Sequence, residues 1–360
     1  MGSVAEKWTT ILITGGGAPG IAGTIYALRN NPHQRPFRIL VVDIQDDVVG
    51  KYLADGFIQV PPPESDEYLP SLLQIVKREG ISVILPQTTR EVARLSKSIE
   101  TLASTGVAVV VSSAQSIEIA NDKFLLLQKA EETGVPYPAY HRTDSKTTLL
   151  EAVELLGYPQ KKVVVKPRVS NGMRGLRILS EEPWTVERFL AEKPEGIEIS
   201  LDDLTGLLSQ GKWPELLVSE YLPGDEYTTD VFSDGHEYIV IPRLREKIRS
   251  GITFNARVDL RQDLVEYSSK LAKVLDLRYC FGFQFKLSEE GIPKLLECNP
   301  RVQGTMVASV FAGFNVIYYA VAAALGSKIK LDKTNLKDGL KFKRYWGGVA
   351  TDEGKPAGKV

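Results

Sequence analysis

Glu297 and Asn299 stand two residues apart in an apolar run, Pro293–Asn299, that leads directly into Pro300 and Arg301. The run reads as a strand, and alternate side chains of a strand share a face. Glu297 and Asn299 therefore point one way and Cys298 the other. A second run, Phe281–Leu287, precedes it across Ser288-Glu289-Glu290-Gly291, a spacing that predicts a hairpin. Its Gln284 and Lys286 share one face, and Phe283 and Phe285 share the opposite one. One carboxylate and two side-chain amides on a common face form an oxygen donor set. Mg²⁺ takes few protein ligands of this kind and fills its remaining positions with water and phosphate oxygens. Arg301 follows at once and is suited to a phosphate. Taken alone, the pattern equally fits a solvated hairpin face that ends in an Asn-Pro turn.

Two further segments carry phosphate chemistry. Val163-Val164-Val165 runs into Lys166-Pro167-Arg168-Val169-Ser170-Asn171-Gly172-Met173-Arg174-Gly175. Here a basic residue closes an apolar strand, and a loop with two glycines returns to a second strand at Leu176–Leu179. Glycines let backbone N–H groups approach phosphate oxygens, and Lys166 and Arg174 add charge. The spacing is not that of a Walker A loop. In the second segment, strand Leu216–Tyr221 breaks at Pro223-Gly224 and re-enters a strand at Glu226. Such a hinge can offer backbone groups to a purine edge and Glu226 to ribose hydroxyls; a plain turn with two exposed acids is the alternative. A basic run, Arg243, Arg245, Lys247 and Arg249, would lie on one face of a strand. Like charges so placed are costly unless anions neutralise them.

The elements that must hold these residues fall into two blocks. Up to about Ala114, short apolar runs (Thr10–Thr14, Phe37–Val42, Ile58–Val60, Val83–Leu85, Val107–Val111) alternate with helical patterns. That alternation predicts a parallel sheet covered on both faces. From Asn121 the pattern changes. Asp122 caps a helix over Lys123–Glu132 that ends at Gly134. Pro183–Pro214 reads as a polar insertion in which Phe189, Leu204 and Leu207 pack. Met306–Leu325 is an apolar, mostly helical stretch that would allow a homodimer. A strand at Leu340–Trp346 precedes a Gly/Lys-rich flexible tail.

Composition bounds the partners. The 360 residues hold 44 Lys+Arg against 45 Asp+Glu, for a formal net charge of −1. That balance argues against bulk capture of nucleic acid or of an anionic membrane. Cys280 and Cys298 lack metal-site spacing, no signal-like segment opens the chain, and apolar runs are too short to span a bilayer. A cytoplasmic location is therefore expected.

The order and content of these segments resemble the ATP-grasp superfamily, and within it one synthetase unit of the carbamoyl phosphate synthase large chain. The segments that carry the resemblance are Gly282-Phe283-Gln284-Phe285 and Leu296-Glu297-Cys298-Asn299-Pro300-Arg301-Val302, followed by a small-residue helix at Ala308 and Ala312-Gly313. The resemblance implies an α/β (α+β) fold: a Rossmann-like pre-ATP-grasp domain over residues 1–115 and a two-subdomain ATP-grasp fold over 116–346. Within the latter, a small lid subdomain covers about 140–222 and a larger metal-binding subdomain about 223–346, with a tail over 347–360. It implies Gln284, Glu297 and Asn299 as Mg²⁺ ligands, with Mn²⁺ as a substitute, and Arg301 on phosphate. Lys123, Lys166, Ser170, Gly172 and Gly175 would bind the ATP phosphates. Glu220, Tyr221 and Leu222 would take the adenine and Glu226 the ribose. Arg174 and Arg245 join Arg301 as catalytic candidates.

The implied activity is an ADP-forming ligase: a carboxylate is activated as an acyl phosphate and transferred to an amine or ammonia. Lys286 departs from the family pattern, and either pairs with Glu297 and weakens the metal site or meets the substrate. A rival remains in Gly15-x-Gly17-x-x-Gly20 with Asp43 ending the next strand. It resembles a dinucleotide fingerprint and would suit an NAD-dependent oxidoreductase. Pro19 counts against it, since it removes a backbone donor where a pyrophosphate would sit. A nucleotide-binding protein without turnover is the third reading.

Overall fold

Ile11, Leu12 and Ile13 of the first strand, Thr9–Thr14 (β1), are completely buried, and only a strand covered on both faces can be so. In the computed structural model, which describes residues 8–170, 172–183, 185–191 and 196–360, β1 is the centre of a parallel sheet. Its neighbours are Phe37–Asp43 (β2), Gly56–Gln59 (β3), Ile81–Leu85 (β4) and Ala108–Val109 (β5), in the order β3-β2-β1-β4-β5. Helix Ile21–Arg29 packs on one face and helix Tyr68–Glu79 on the other. This is the Rossmann-like sheet that the alternating pattern predicts.

The second sheet runs in the order β6-β10-β7-β8-β9, from Tyr140–Thr143 (β6), Val163–Pro167 (β7), Arg177–Leu179 (β8), Glu198–Ile199 (β9) and Leu216–Glu220 (β10). Helices Lys146–Leu155 and Leu201–Leu208 cover it through Leu149, Val153 and Leu204. The expectation for the insertion is corrected here. Leu204 is buried, but Phe189 is 72% exposed, because helix Val186–Ala191 buries none of its side chains, and Leu207 is 51% exposed, because helix Leu201–Leu208 turns only Leu204 and Thr205 fully inward. Asn171 lies outside the described residues.

The third sheet has the order β15-β14-β11-β12-β13-β16. Its strands are Glu226–Ser233 (β11), Tyr238–Arg249 (β12), Ile252–Val258 (β13), Tyr279–Leu287 (β14), Pro293–Asn299 (β15) and Lys341–Lys343 (β16). Helix Gln262–Val274 packs on one face through Leu264 and Leu271, against Phe281, Phe283 and Phe285. The stretch Met306–Leu325 forms two helices, Ala308–Phe311 and Val316–Ala324, and not a single surface helix. Val316, Ile317, Ala320 and Val321 are fully buried in a core shared with β1, β2 and β4 of the first sheet and β11, β12 and β14 of the third. The core explains its apolarity, so this stretch gives no reason for a homodimer. Residues expected as a flexible tail form an exposed hairpin, Val349–Asp352 (β17) with Lys355–Lys359 (β18). No helix among the described residues is long and apolar enough to cross a membrane.

Candidate functional site

The β14–β15 hairpin forms as its alternation requires. Phe281, Phe283 and Phe285 are fully buried and meet edge-to-face, with ring centroids 5.8 and 6.4 Å apart, an arrangement aromatic pairs prefer. Their burial turns Gln284 to the opposite face, where it stands across from Glu297, while Gly282 stands across from Asn299. The register then shifts between Gln284 and Phe285, so Leu296 is an extra residue in β15. Its carbonyl accepts a hydrogen bond from Lys166 Nζ at 3.4 Å, which ties the second sheet to the hairpin. Gly282 is required by close approach: a Cβ there would stand 1.5 Å from Gln303 Nε2, which donates to Thr229 O.

Cations converge on this face from three elements. Asp122 Oδ1 caps the helix Lys123–Thr133 by accepting from Phe124 and Leu125 N–H, the usual role of an N-terminal aspartate. Its Oδ2 accepts from Arg168 Nε at 2.7 Å. That double use fixes the helix start to the loop after β7. Lys123 Nζ donates to Ser170 O at 2.8 Å and to Ser170 Oγ at 3.2 Å. Arg301 Nη2 donates to Asn299 Oδ1 at 3.0 Å, and Asn299 Nδ2 donates to Glu297 Oε1 at 3.2 Å.

Lys123 and Lys166 are both buried. Burial, reinforced by the charge of Lys123, pushes the Lys166 ammonium down from 10.5 to about 8, against the pull of Glu297 and Glu226. The cause is desolvation, which disfavours the charged form of a cation. Burial also lowers Lys123 and Arg301, again with Glu297 opposing. Glu297 is thus the one carboxylate that acts on all three desolvated cations. Asp122 and Glu226 are already paired, with Arg168 and Arg245. A small cleft among these groups is lined by Thr89, Asn121, Lys123, Ser170, Glu297 and Asn299.

Glu226 and Gln284 meet Arg245. Its Nη1 donates to the Glu226 carboxylate and lies 3.5 Å from Gln284 Oε1, its Nε donates to Thr253 Oγ1 at 2.8 Å, and its Nη2 donates to Gly251 O at 2.6 Å. The basic run does not keep to one face. The β12–β13 register shifts after Leu244 and again after Lys247, so Arg243 and Arg245 turn inward while Lys247 and Arg249 are more open to solvent. Arg243 is neutralised by a buried pair with Asp230, at 2.6 and 2.8 Å. The pair is bidentate, the strong geometry for a guanidinium on a carboxylate.

The hinge residues lie between the second and third sheets. Glu220 accepts from Ala139 N and from Lys294 Nζ. Leu222 is buried, and the Lys286 ammonium sits 5.4 Å from the Tyr221 ring centroid, within cation–π range. Lys286 thus stands over the hinge, and it forms no ion pair with Glu297. In the loop after β7, Gly172 and Gly175 have φ of +61° and +76°, which favours glycine. Gly172, Arg174 and Gly175 are exposed, with the Arg174 guanidinium folded back over Gly172, so the structure holds Arg174 outside the cleft.

Two features were not singled out from the sequence. Thr89 lines the cleft, and its Oγ1 accepts from Arg301 Nε at 3.4 Å. Its signal was available in Thr88-Thr89-Arg90-Glu91, where Thr88 and Glu91 bond reciprocally at the start of helix Thr89–Ser96, a capping box. The other is Asp230, the partner of Arg243.

The N-terminal glycine turn serves another purpose than a dinucleotide site. Gly17 N–H donates to Asp43 Oδ2 at 2.8 Å. A Cβ on Gly20 would lie 3.1 Å from Gly304 Cα, and one on Gly23 would lie 2.9 Å from Val307 Cβ. Arg344 Nη1 donates to Pro19 O at 3.2 Å. The helix N-terminus, where a pyrophosphate would sit, is packed against the segment that follows the hairpin.

A family model described as "ATP-grasp in the biosynthetic pathway with Ter operon" matches residues 212–345, and one described as "PylC-like, N-terminal domain" matches residues 11–110. The carbamoyl phosphate synthase large chain of Clostridium acetobutylicum is 24% identical over 275 residues, covering 73% of this chain and 24% of that one. That of Thermomicrobium roseum is 27% identical over 243 residues, covering 63% and 20%. The chain thus spans about a quarter or less of the length of these relatives. Among solved structures, N5-carboxyaminoimidazole synthetase from Staphylococcus aureus, complexed with ADP, has a TM-score of 0.67 at 18% identity, covering 89% of this chain and 78% of that one. The biotin carboxylase domain dimer of Hydrogenobacter thermophilus 2-oxoglutarate carboxylase, in complex with MgADP, ADP and bicarbonate, has a TM-score of 0.69 at 16% identity, covering 93% and 73%. Residues 212–345 thus carry an ATP-grasp match, and residues 11–110 ahead of them match a PylC-like N-terminal domain.

Proposed function

We propose that this chain is an ADP-forming ligase that activates a carboxylate with ATP and transfers the acyl group to an amine or ammonia. The observation that carries this reading is the surplus of desolvated cations: the buried Lys123 and Lys166 and the half-buried Arg301 have Glu297 as their one shared carboxylate. Such a surplus is unfavourable in a low-dielectric cleft until a polyanion enters. A triphosphate has that charge. The ATP-grasp match of residues 212–345 and the ADP bound in the similar synthetase support the same ligand.

Glu297, Gln284 and Asn299 stand on one face of the hairpin. They suit Mg²⁺ because they offer one carboxylate and two amide oxygens, with no thiol or imidazole among them. When bound there, Mg²⁺ would neutralise charge on the phosphate oxygens. Lys123 and Lys166 hold the phosphates, Glu226 takes the ribose hydroxyls, and the Glu220–Leu222 hinge takes the purine. A carboxylate oxygen of the substrate attacks the γ-phosphorus and ADP leaves, giving an acyl phosphate. The amine nitrogen then attacks the acyl carbon, inorganic phosphate departs, and the nitrogen releases a proton as the amide forms. Arg301 holds the transferring phosphoryl group. Arg245, whose three nitrogens are all engaged, positions Glu226 and the β12–β13 turn. The lid over about residues 140–222 closes on the triphosphate and excludes water, which would hydrolyse the acyl phosphate.

Release of ADP and phosphate, measured across a panel of carboxylates with ammonia or amino acids as nucleophile, tests this reading. It predicts equimolar ADP and phosphate only when a carboxylate and an amine are both present. Nucleotide binding without turnover under every pairing would contradict it.

A further inference from the structure

A second cavity, of about 400 Å³, shares no lining residue with the cleft at the hairpin, and its size is in the range of small-molecule sites. It runs along helix Val316–Ala324, from Tyr318 and Tyr319 in the first turn to Ser327–Lys330 past its end, with His33 and Arg35, which follow helix Ile21–Arg29, on the other side. The glycine turn Gly15–Gly20 is at the opposite end of helix Ile21–Arg29, roughly 13 Å away along its axis. One wall comes from the segment matched as the N-terminal domain and the other from the segment matched as ATP-grasp, so the cavity sits on the seam between them.

Its rim is cationic. Arg35, Lys328 and Lys330 line it together with His33. Arg35 is held in place rather than loose. Its backbone N–H donates to the buried Asn31 side chain at 2.9 Å, Asn31 Nδ2 donates back to Arg35 O at 2.8 Å, and Arg35 Nη2 donates to Thr9 Oγ1 at 3.1 Å. No carboxylate among the described residues forms an ion pair with Arg35, Lys328 or Lys330. Asp332 is the acid near Lys330, and that ammonium helps to lower its carboxyl, but the carboxylate oxygens already accept from Thr334 N, Thr334 Oγ1 and Asn335 Nδ2. Three cations without a carboxylate partner leave a surplus of positive charge at the rim. The floor is rigid and partly polar. The buried Tyr318 hydroxyl lies 2.8 Å from His33 Nδ1, and Tyr319 stacks on Phe314 with centroids 4.4 Å apart.

We propose that this cavity is a second ligand site that binds a small phosphate-bearing anion. The N–H donors of Arg35, Lys328 and Lys330 around one opening match the many acceptor oxygens of a phosphate group, and its multiple charge offsets the repulsion that solvent leaves among these exposed cations. A ligand there would bridge the two matched segments at their seam.

Calorimetric titration with inorganic pyrophosphate tests the site, comparing the full chain with its Lys328→Gln/Lys330→Gln form. ADP titration of both proteins serves as the control for the nucleotide cleft. The proposal expects equal ADP binding, with the wild type taking up one more equivalent of pyrophosphate than the double variant, or binding it about tenfold more tightly. Arg35→Gln, which changes a different element, is expected to weaken the same event. Pyrophosphate uptake of equal stoichiometry and affinity in all three proteins overturns the proposal, as does equal ADP binding with no second pyrophosphate event in the wild type.

Discussion

Replacing Lys166 with methionine should stabilise the ligand-free protein while crippling nucleotide binding. The Lys166 ammonium is held at about 8 instead of 10.5 because it is buried beside Lys123. A fall of that size corresponds to roughly 3 kcal/mol of destabilisation by the charged form. The sign follows from proton counting. Between about 8 and 10.5 the unfolded chain keeps the proton that the folded chain has lost, so stability rises with pH through that window. Below about 8 both states are protonated and the whole cost is present. Lys166→Met removes the charge but keeps most of the buried stem, and the lost hydrogen bond to Leu296 O is a long one at 3.4 Å. Urea denaturation at pH 7 should therefore show a gain of about 1–3 kcal/mol, shrinking towards zero near pH 10. Triphosphate affinity of the wild type should fall as pH rises above 8, and that dependence should disappear in the variant. A variant that loses stability at pH 7, or a wild type whose affinity is flat from about pH 7.5 to 9.5, would refute the assignment of Lys166 as a strained, ligand-seeking cation.

Two further substitutions separate structure from function. Asp230→Ala strands the buried Arg243 guanidinium. It should cost about 3–5 kcal/mol in denaturant titrations, far more than a surface ion pair. Lys286→Ala removes a cation from the Tyr221 ring. It should weaken ATP binding by about two- to fivefold, the worth of one cation–π contact. Because Lys286 stands away from Glu297, the magnesium dependence of that binding should be unchanged in titrations at several magnesium concentrations.

The hairpin was legible because its two signals agree. Alternation placed Gln284, Glu297 and Asn299 on one face, and the phenylalanines opposite fixed which face is buried. Asp122 as a helix cap and Gly134 as a helix end were equally readable, since both act on their own immediate backbone. What escaped depends on contacts between distant segments. The inward turn of Arg243 and Arg245 needs Asp230 and Glu226 from the neighbouring strand, and register shifts between β12 and β13 break the alternation that would otherwise group all four basic residues. The apolarity of Val316–Ala324 looked like a surface for a partner because nothing local shows that two sheets enclose it. The glycine turn looked like a dinucleotide site because the residues that fill it, Gly304 and Val307, come from the far end of the chain.

Isothermal titration of a non-hydrolysable ATP analogue, with and without magnesium, into wild type and Glu297→Gln tests the central claim most directly. The account predicts magnesium-dependent binding in the wild type. In the variant the metal dependence is lost, and thermal denaturation shows a fold that remains intact. Equal magnesium-dependent affinity in the two proteins would contradict it.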